Sequence, residues 1–490
     1  MSTTPQSSKT STTRKRNPPK ARSKVTPRKG KGGRPSKQGL EERLDHAKAK
    51  KSFKQKSREV RRNYGRLRKV VLGLFSREEV EELAREVGFY RRKPREIRAF
   101  EFVLCSALAA LVEQKRSFAS VWRLMGAAAK LKVARSAVTQ RFGAGSAKLM
   151  EEVVKRVSER LSRKTPSELD ERLREFRGVL AHDGSVVRLS PLLQKLFPAR
   201  RTTSVKSAIR VHGAADVVQR RLVRVVVTGD RDSELAVARS MPLEKGVLYM
   251  NDLGYMSYDY FADIKDAEAE LLSRLKSNAN PTITKVREGL RAPVKLAKER
   301  FGLNNPDLPN YFLKKADTFD LDAEFKAKGR TVKLRVVGVL DPEIDSYRMY
   351  VTTLSPEEYS PNEISQLYRY RWAIELLFKL LKTSCHMDHV DTSNVEAIKT
   401  HIYSSVLAAM LLYEVCNAAA EASGVAIDSL SYIVAGIASP LLVVPLLFLW
   451  FEHEPSFNDL IELILRVLTI GCANQNPKRT QKQRNISEGW

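Results

Sequence analysis

The sequence predicts a mixed α/β chain with helical segments before and after its sheet, and three observations carry that expectation. Residues from about 75 to 164 are apolar at helical spacing. From about 177 the period shortens to that of strands, with Gly and Asp between the runs. From about 395 to 470 the chain turns helical and apolar again.

The elements follow in order. In SREEVEELAREVGF, Ser76 with Glu79 three residues later is a capping-box arrangement at a helix start. FEFVLCSALAALVEQ is a strongly apolar helix, and VARSAVTQRFGAG suits either the recognition helix of a helix-turn-helix or plain helical packing. GVLAHDGSVVRL, SAIRVHGAADVV and RLVRVVVTG read as three consecutive strands. DSELAVARSM reads as a helix, GVLYMND as a buried strand, YDYFADIKDAEA as a helix and LLSRLKS as a strand. Three strands, helix, strand, helix, strand is the order of a ribonuclease-H-like sheet. Strand-like text between about 278 and 355 (DLDAEFKA, TVKLRVVGVL, SYRMYVTTL) predicts an inserted β-subdomain.

The expected organisation is a basic, largely disordered DNA-binding tail over 1–70 and a helical N-terminal domain over 71–168. A ribonuclease-H-like domain over 169–400 carries the β insertion, a helical C-terminal domain spans 401–473, and 474–490 is a polar tail. Residues 1–40 carry twelve Lys and Arg and no acid. Within them Lys31-Gly-Gly-Arg34-Pro35 matches part of an AT-hook, or is simply solvated basic chain.

Composition narrows the partners. Apolar residues make up 42% of 490, enough for a full core, while the net charge of +30 calls for a polyanion, nucleic acid before acidic membrane. Cys105, Cys385, Cys416 and Cys472 are scattered, which argues against a disulfide framework or zinc knuckle and fits a reducing, cytoplasmic setting. No apolar signal region opens the chain, and no phosphate-binding glycine loop supports a nucleotide cofactor. Residues 429–451 are uncharged and long enough to span a bilayer, but Pro440 and Pro445 favour a broken, buried helix pair and no membrane.

Two aspartates stand where strands stop. Asp183 follows VLAH and precedes Gly-Ser; Asp252 ends VLYMN and precedes Leu-Gly-Tyr. Each has a plainer role open to it, Asp183 as a turn opener and Asp252 as the cap of a helix near Ser257. Further on, YRYRWAIELLFKLLK spaces Tyr368, Arg371, Glu375 and Lys382 so that on one helix they share an arc of about 60°. Beside them Ile374, Leu377, Phe378, Leu380 and Leu381 form a core-facing side. An ordinary amphipathic helix with an Arg371–Glu375 ion pair is the alternative. Carboxylates at adjacent strand ends, with a third on a nearby helix, can hold two divalent cations about 4 Å apart. Oxygen-only ligands favour Mg²⁺, or Mn²⁺ in its place, over zinc. His182 either orients a metal ligand or packs on its strand, Asp230 and Asp232 look like a carboxylate pair but suit a turn and helix start better, and Cys385 to Asp391 lack a partner at zinc spacing.

The three blocks together resemble DDE transposases of the bacterial insertion-sequence family marked by a Tyr-Arg-Glu-Lys (YREK) motif. The resemblance covers most of residues 75–410: DGS at Asp183, DLGY at Asp252 and the YRYRWAIELLFKLLK block, where Trp372, Ile374 and Phe378 also match. The intervals of 69 and 123 residues (252 − 183 and 375 − 252) leave room for the family's β insertion. The resemblance implies that Asp183, Asp252 and Glu375 bind two Mg²⁺ ions and catalyse DNA cleavage and strand transfer. It implies that Tyr368, Arg371 and Lys382 contact phosphates. Trp372 either stacks on a displaced base or packs at the helix edge. Terminal inverted repeats and target DNA are the expected partners, bound by a homodimer in a synaptic complex within the bacterial nucleoid. A non-catalytic DNA-binding derivative, or a nuclease on the same sheet without strand transfer, accounts for the same charge.

Overall fold

The computed structural model describes residues 73–424, apart from 91–95, 113–116, 129–132, 162–170, 202, 219–220, 277–278, 280, 289–315, 344, 389 and 391, together with 435–436. The expectations for the basic tail, for nearly all of 429–451 and for 474–490 therefore lie outside the described residues.

The helical segment begins as its sequence predicts. In α1 (Arg77–Glu86), Ser76 Oγ accepts from Glu79 N at 3.1 Å and Glu79 answers through Ser76 N at 3.4 Å. Helix α2 (Ala99–Val112) is buried from Ala99 to Leu111, so it needs no polar stripe. Its one acid, Glu101, pairs with Arg77. After α3 (Phe118–Ala128), α4 (Arg135–Thr139) is only five residues long, and α5 (Ala144–Leu161) is a full amphipathic helix. Five residues give α4 little more than one turn, so the helix-turn-helix alternative gives way to plain packing. A Cβ on Gly145 would stand 2.7 Å from Gly88 O, which is why the second residue of α5 is glycine where the helix crosses the chain leaving α1.

The sheet opens with an antiparallel meander, β1 (Gly178–Arg188), β2 (Ala208–Asp216) and β3 (Arg221–Gly229). Helix α6 (Glu234–Ser240) leads to β4 (Val247–Asn251), parallel to β1; α7 (Tyr258–Asp266) leads to β5 (Glu270–Arg274), parallel to β4. The order β3-β2-β1-β4-β5 thus arises from the elements read in the sequence.

The insertion departs from expectation. Strands β6 (Thr282–Glu288), β7 (Thr318–Ala327), β8 (Arg330–Asp341) and β9 (Ser346–Thr352) form no separate subdomain. They continue the same sheet through β9 paired antiparallel to β5, giving the order β3-β2-β1-β4-β5-β9-β8-β7-β6. Thr352 Oγ1 fastens the join by donating to Leu271 O at 2.6 Å. An unpaired β5 edge would expose backbone donors and acceptors, and β9 satisfies them.

Alternation along the strands sorts side chains between two cores. Val179, Ala181, Leu248, Met250 and Leu272 join α1–α5 and the C-terminal helices on one face. Leu180, Val247, Tyr249 and Leu271 join α6 and α7 on the other. The first core is continuous with α10 (Val395–Ser423), capped by Asn394 and ended by Gly424 at φ +63°. Among the described residues α10 is the one helix long and apolar enough to cross a membrane, and 94% of its apolar window is buried in the fold. Ser146 and Thr400 hydroxyls, 2.9 Å apart, tie α10 to α5.

Candidate active site

Register brings the two aspartates together. Leu180 and Ala181 pair with Tyr249 and Met250, so two residues further Asp183 and Asp252 stand level, about 4.8 Å apart by strand spacing. Asp252 follows the end of β4 as expected, but Asp183 lies in mid-strand, because β1 continues to Arg188 in its pairing with β2. Both follow the parity of Ala181 and Met250 and face the first core. One backbone bond orients each: Asp183 Oδ1 accepts from Gly184 N at 2.8 Å, and Asp252 Oδ1 from Gly254 N at 3.1 Å. Asp252 caps the short 3₁₀ turn Leu253–Tyr255, while Ser257 caps α7, so the plainer helix-cap role falls to Ser257.

The YRYRWAIELLFKLLK block is not one continuous helix, which corrects the sequence expectation. Helix α8 (Pro361–Arg369) ends before Tyr370, and α9 (Trp372–Thr383) begins after Arg371. The backbone remains right-handed, but Tyr370 N bonds Leu367 O and Arg371 N bonds Tyr368 O, three residues back. That tightening overwinds the chain and sets Tyr368 above Arg371, three residues on, because side chains three apart eclipse in such a turn. Tyr368 donates to Asn251 O at 3.1 Å, on the residue before Asp252, and its ring lies 5.2 Å from that of Tyr350.

Helix α9 sits on β1 and β2 through its apolar side. Phe378 Cζ would be 3.1 Å from a Cβ at Gly213, and Gly213 is the strand partner of Asp183. Glu375, three residues before Phe378, is thereby held at the level of Asp183. Electrostatics agree with this placement. Burial pushes the Asp183 carboxyl up to about 6; the Gly184 N–H and Arg371 oppose the rise, and Glu375 and Asp252 add to it.

Arg371 is the cation of the site. It pairs with Glu375, and its guanidinium lies 5.5 Å from the centre of the Tyr368 ring. Burial works against its charge, but Tyr368 and Glu375 outweigh that and raise its pKa. Among the described residues its buried Nε has no hydrogen-bond partner. Lys382 is half-buried one face along and makes no ion pair among the described residues. Trp372 is 54% exposed beside them.

Glu234, on α6, approaches the same strands from the opposite face of the sheet. Its carboxylate oxygens lie 3.5 Å and 3.4 Å from where Cβ atoms would stand on Gly184 and Gly254, the glycines just beyond Asp183 and Asp252. Arg210 on β2 pairs with Glu234 and, at 2.9 Å, with Asp230. A glutamate one residue after the helix cap Ser233 is an ordinary helix start, so nothing in the sequence marked it.

The remaining sequence candidates are structural. His182 is 2% exposed, stacked on Tyr249 and pushed down to about 4 by burial, hence neutral. Asp230 accepts Arg200 N at 2.7 Å and Asp232 accepts Gly229 N at 2.8 Å, both within the turn before α6. Cys385 is fully buried, and His389 and Asp391 lie outside the described residues.

Among the described residues no three Asp, Glu, His or Cys groups stand close enough to hold one ion as they are. The donor chemistry nevertheless fits a hard divalent cation. Asp183 is held against ionisation by burial and, less, by the charges of Glu375 and Asp252, and Arg371 occupies one oxygen of Glu375.

Residues 174–411 match the family described as Transposase DDE domain, and that span contains Asp183, Asp252, Tyr368, Arg371, Trp372, Glu375 and Lys382. The chain is 33% identical over 93 residues to the putative transposase InsL for insertion sequence element IS186A of Escherichia coli (strain K12), covering 19% of this chain and 24% of that one. It is 21% identical over 368 residues to the transposase for insertion sequence element IS231C of Bacillus thuringiensis subsp. berliner, covering 67% and 75%. The chain thus spans about a quarter of the length of the first relative and three quarters of the second. Among solved structures, a cryo-EM piggyBac transposase synaptic complex with hairpin DNA aligns over 85% of this chain and 89% of that one, with TM-score 0.43 and 10% identity. The family match and the relatives support a transposase of the DDE class.

Proposed function

We propose that this chain is a DDE transposase of the YREK-marked insertion-sequence type, which cuts DNA at transposon ends and joins them to target DNA. The observation that carries the reading is the level placement of Asp183 and Asp252 on the face covered by α9, with Glu375 beside them. In this reading Asp183, Asp252 and Glu375 hold two Mg²⁺ ions, or Mn²⁺. When bound, these supply activation of the attacking water or 3′-hydroxyl and stabilisation of the leaving oxygen.

The chain's own residues do the rest. Arg371 meets a non-bridging phosphate oxygen through its free Nε, and in doing so loosens its hold on Glu375. Lys382 adds a point charge further along the strand. Tyr368 acts by fixing the Asn251–Asp252 backbone, in addition to any phosphate contact the resemblance implies. Trp372, exposed beside Arg371, offers a stacking face to an unpaired base. Residues 71–168 are assigned to end binding, the homodimer to synapsis, and the setting to the bacterial cytoplasm.

The test is cleavage and joining of a duplex carrying the element's terminal repeats, with Mg²⁺ present. Asp183→Asn, Asp252→Asn and Glu375→Gln should each lose roughly a thousandfold or more of cleavage with binding retained. Full cleavage by any of the three removes that residue from the site. Cutting without joined product makes the chain a nuclease instead.

A further inference from the structure

The β1–β2 hairpin runs past the candidate active site. Five residues of β1 follow Asp183 to Arg188, about 17 Å of extended chain. The neighbouring strand β4 has by then ended at Asn251, level with His182. The hairpin therefore overhangs the carboxylates before the chain turns back through 189–207.

This tip is firmly built. Leu189 N donates to Ser207 O at 2.9 Å, Phe197 N to Leu193 O at 2.8 Å, and Ala208 N to Phe197 O at 3.1 Å. Ser207 Oγ adds a bond to Phe197 O at 2.9 Å, and Leu189, Leu193 and Ala199 are buried beneath. From this frame Leu192 and Leu196 project at 83% and 66% exposure, the two most exposed large apolar side chains among the described residues. A fold that turns Leu193 inward and leaves its neighbours in water gains nothing for its own core from them.

Charge says what covers them: Asp230 and Asp232 lie at the base of the tip, where Arg200 bonds both and Arg231 stands beside them, and the tip itself is basic. Residues 184–215 contain no Asp or Glu. Arg188, Lys195, Arg200, Arg201 and Lys206 are all exposed. Two copies of such a tip repel one another, whereas a duplex meets the cations with its phosphates and the leucines with its base stack.

We propose that the hairpin tip is a DNA wedge, in which Leu192 and Leu196 enter a base step and bend the duplex while the five cations hold its backbone. This rests on the DNA reading of the active site. A duplex cut at Asp183 and running along the hairpin meets the leucines about five base pairs or more from the scissile phosphate, at ~3.4 Å rise per base pair.

The experiment uses the full chain and two fluorescein-labelled duplexes of one sequence, one intact and one with a short internal mismatch. A step already unstacked spares the wedge its work, so the mismatched duplex should bind roughly tenfold tighter at fixed salt. In L192S/L196S that ratio should fall to about 1 with the salt slope unchanged. Both leucines are exposed, so the melting temperature should hold and certify the fold. Lys195→Ala with Lys206→Ala should instead weaken both duplexes alike and flatten the log–log salt slope by about 0.9 per cation. Equal binding of both duplexes by the unaltered chain overturns the wedge alone. A preference surviving in L192S/L196S, or a shift only in its oligomeric mass by light scattering, overturns it too. Failure to bind either duplex overturns the DNA reading along with it.

Discussion

In the four-stranded extension β6–β9 the aspartates are matched with arginines, whereas in mid-β1 and just past β4 they crowd one another. Arg335 grips buried Asp320 through two bonds of 2.9 and 2.7 Å, Arg287 grips Asp322 through two of 3.0 Å, and Arg348 bonds Asp341 at 2.6 Å. The backbone N–H of Glu343, with Arg348, holds the Asp341 carboxyl below its ordinary range. Asp183 is pushed the other way, up to about 6, by burial and by Glu375 and Asp252. A paired acid spends its charge inside the fold. An acid held against ionisation keeps an unmet demand for positive charge, and this is the mark of a site that serves a ligand.

The largest expected effect breaks that comparison in both directions. Asp183→Asn should lose cleavage roughly a thousandfold or more, while its melting temperature stays level or rises because a buried like-charge contact is gone. A lower melting temperature with cleavage intact would make Asp183 the structural acid. Asp320→Ala should do the reverse, losing about 3–5 kcal/mol of stability by stranding Arg335, with cleavage per folded molecule unchanged. Denaturant titration beside a cleavage assay reads both.

Acid titration sharpens the contrast. Because the folded-state pKa of Asp183 is raised from 3.8 to about 6, its folded form keeps a proton that the unfolded chain releases. Its contribution to stability is therefore full below about pH 4 and is lost as pH rises through about 6, worth about 3 kcal/mol at most. Asp183→Asn should remove that slope from the stability profile. Cleavage should run oppositely, rising through pH 6 as the carboxylate ionises.

A smaller effect concerns Glu234, which lies behind Gly184 and Gly254 on the sheet face opposite the two aspartates and belongs to no motif block. Glu234→Gln should raise the Mg²⁺ concentration for half-maximal cleavage about tenfold or more, with the maximal rate largely recovered at saturating Mg²⁺. A change in melting temperature alone, with the Mg²⁺ curve unmoved, would reduce Glu234 to a helix-start residue. Smallest of all is the exposed pair Lys245–Glu268, where Lys245→Ala should change stability by no more than about 0.5 kcal/mol.

How much of this could be read before folding depends on how far each feature reaches along the chain. Caps, strands and helices were legible because their signals are local: Ser76 and Glu79 lie three residues apart, and Ser360 and Glu363 form a second capping box opening α8. The insertion's strands were legible, but their continuation of the main sheet was not, since nothing within SYRMYVTTL says that it pairs with β5. The break at Tyr370 and Arg371 was hidden as well. Periodicity counts residues at 100° each and cannot sense a turn tightened to three-residue bonds.

By itself the sequence determined the residue types: two aspartates beside apolar strand text, an arginine four residues before a glutamate, an apolar helix side, and a net charge of +30. Only the tertiary structure decided which of them meet. Strand register sets Asp183 level with Asp252, Gly213 admits Phe378 and so seats Glu375, and Tyr368 is spent on the backbone of Asn251. Register and close packing are contacts between segments remote in the chain, and no short-range pattern encodes them.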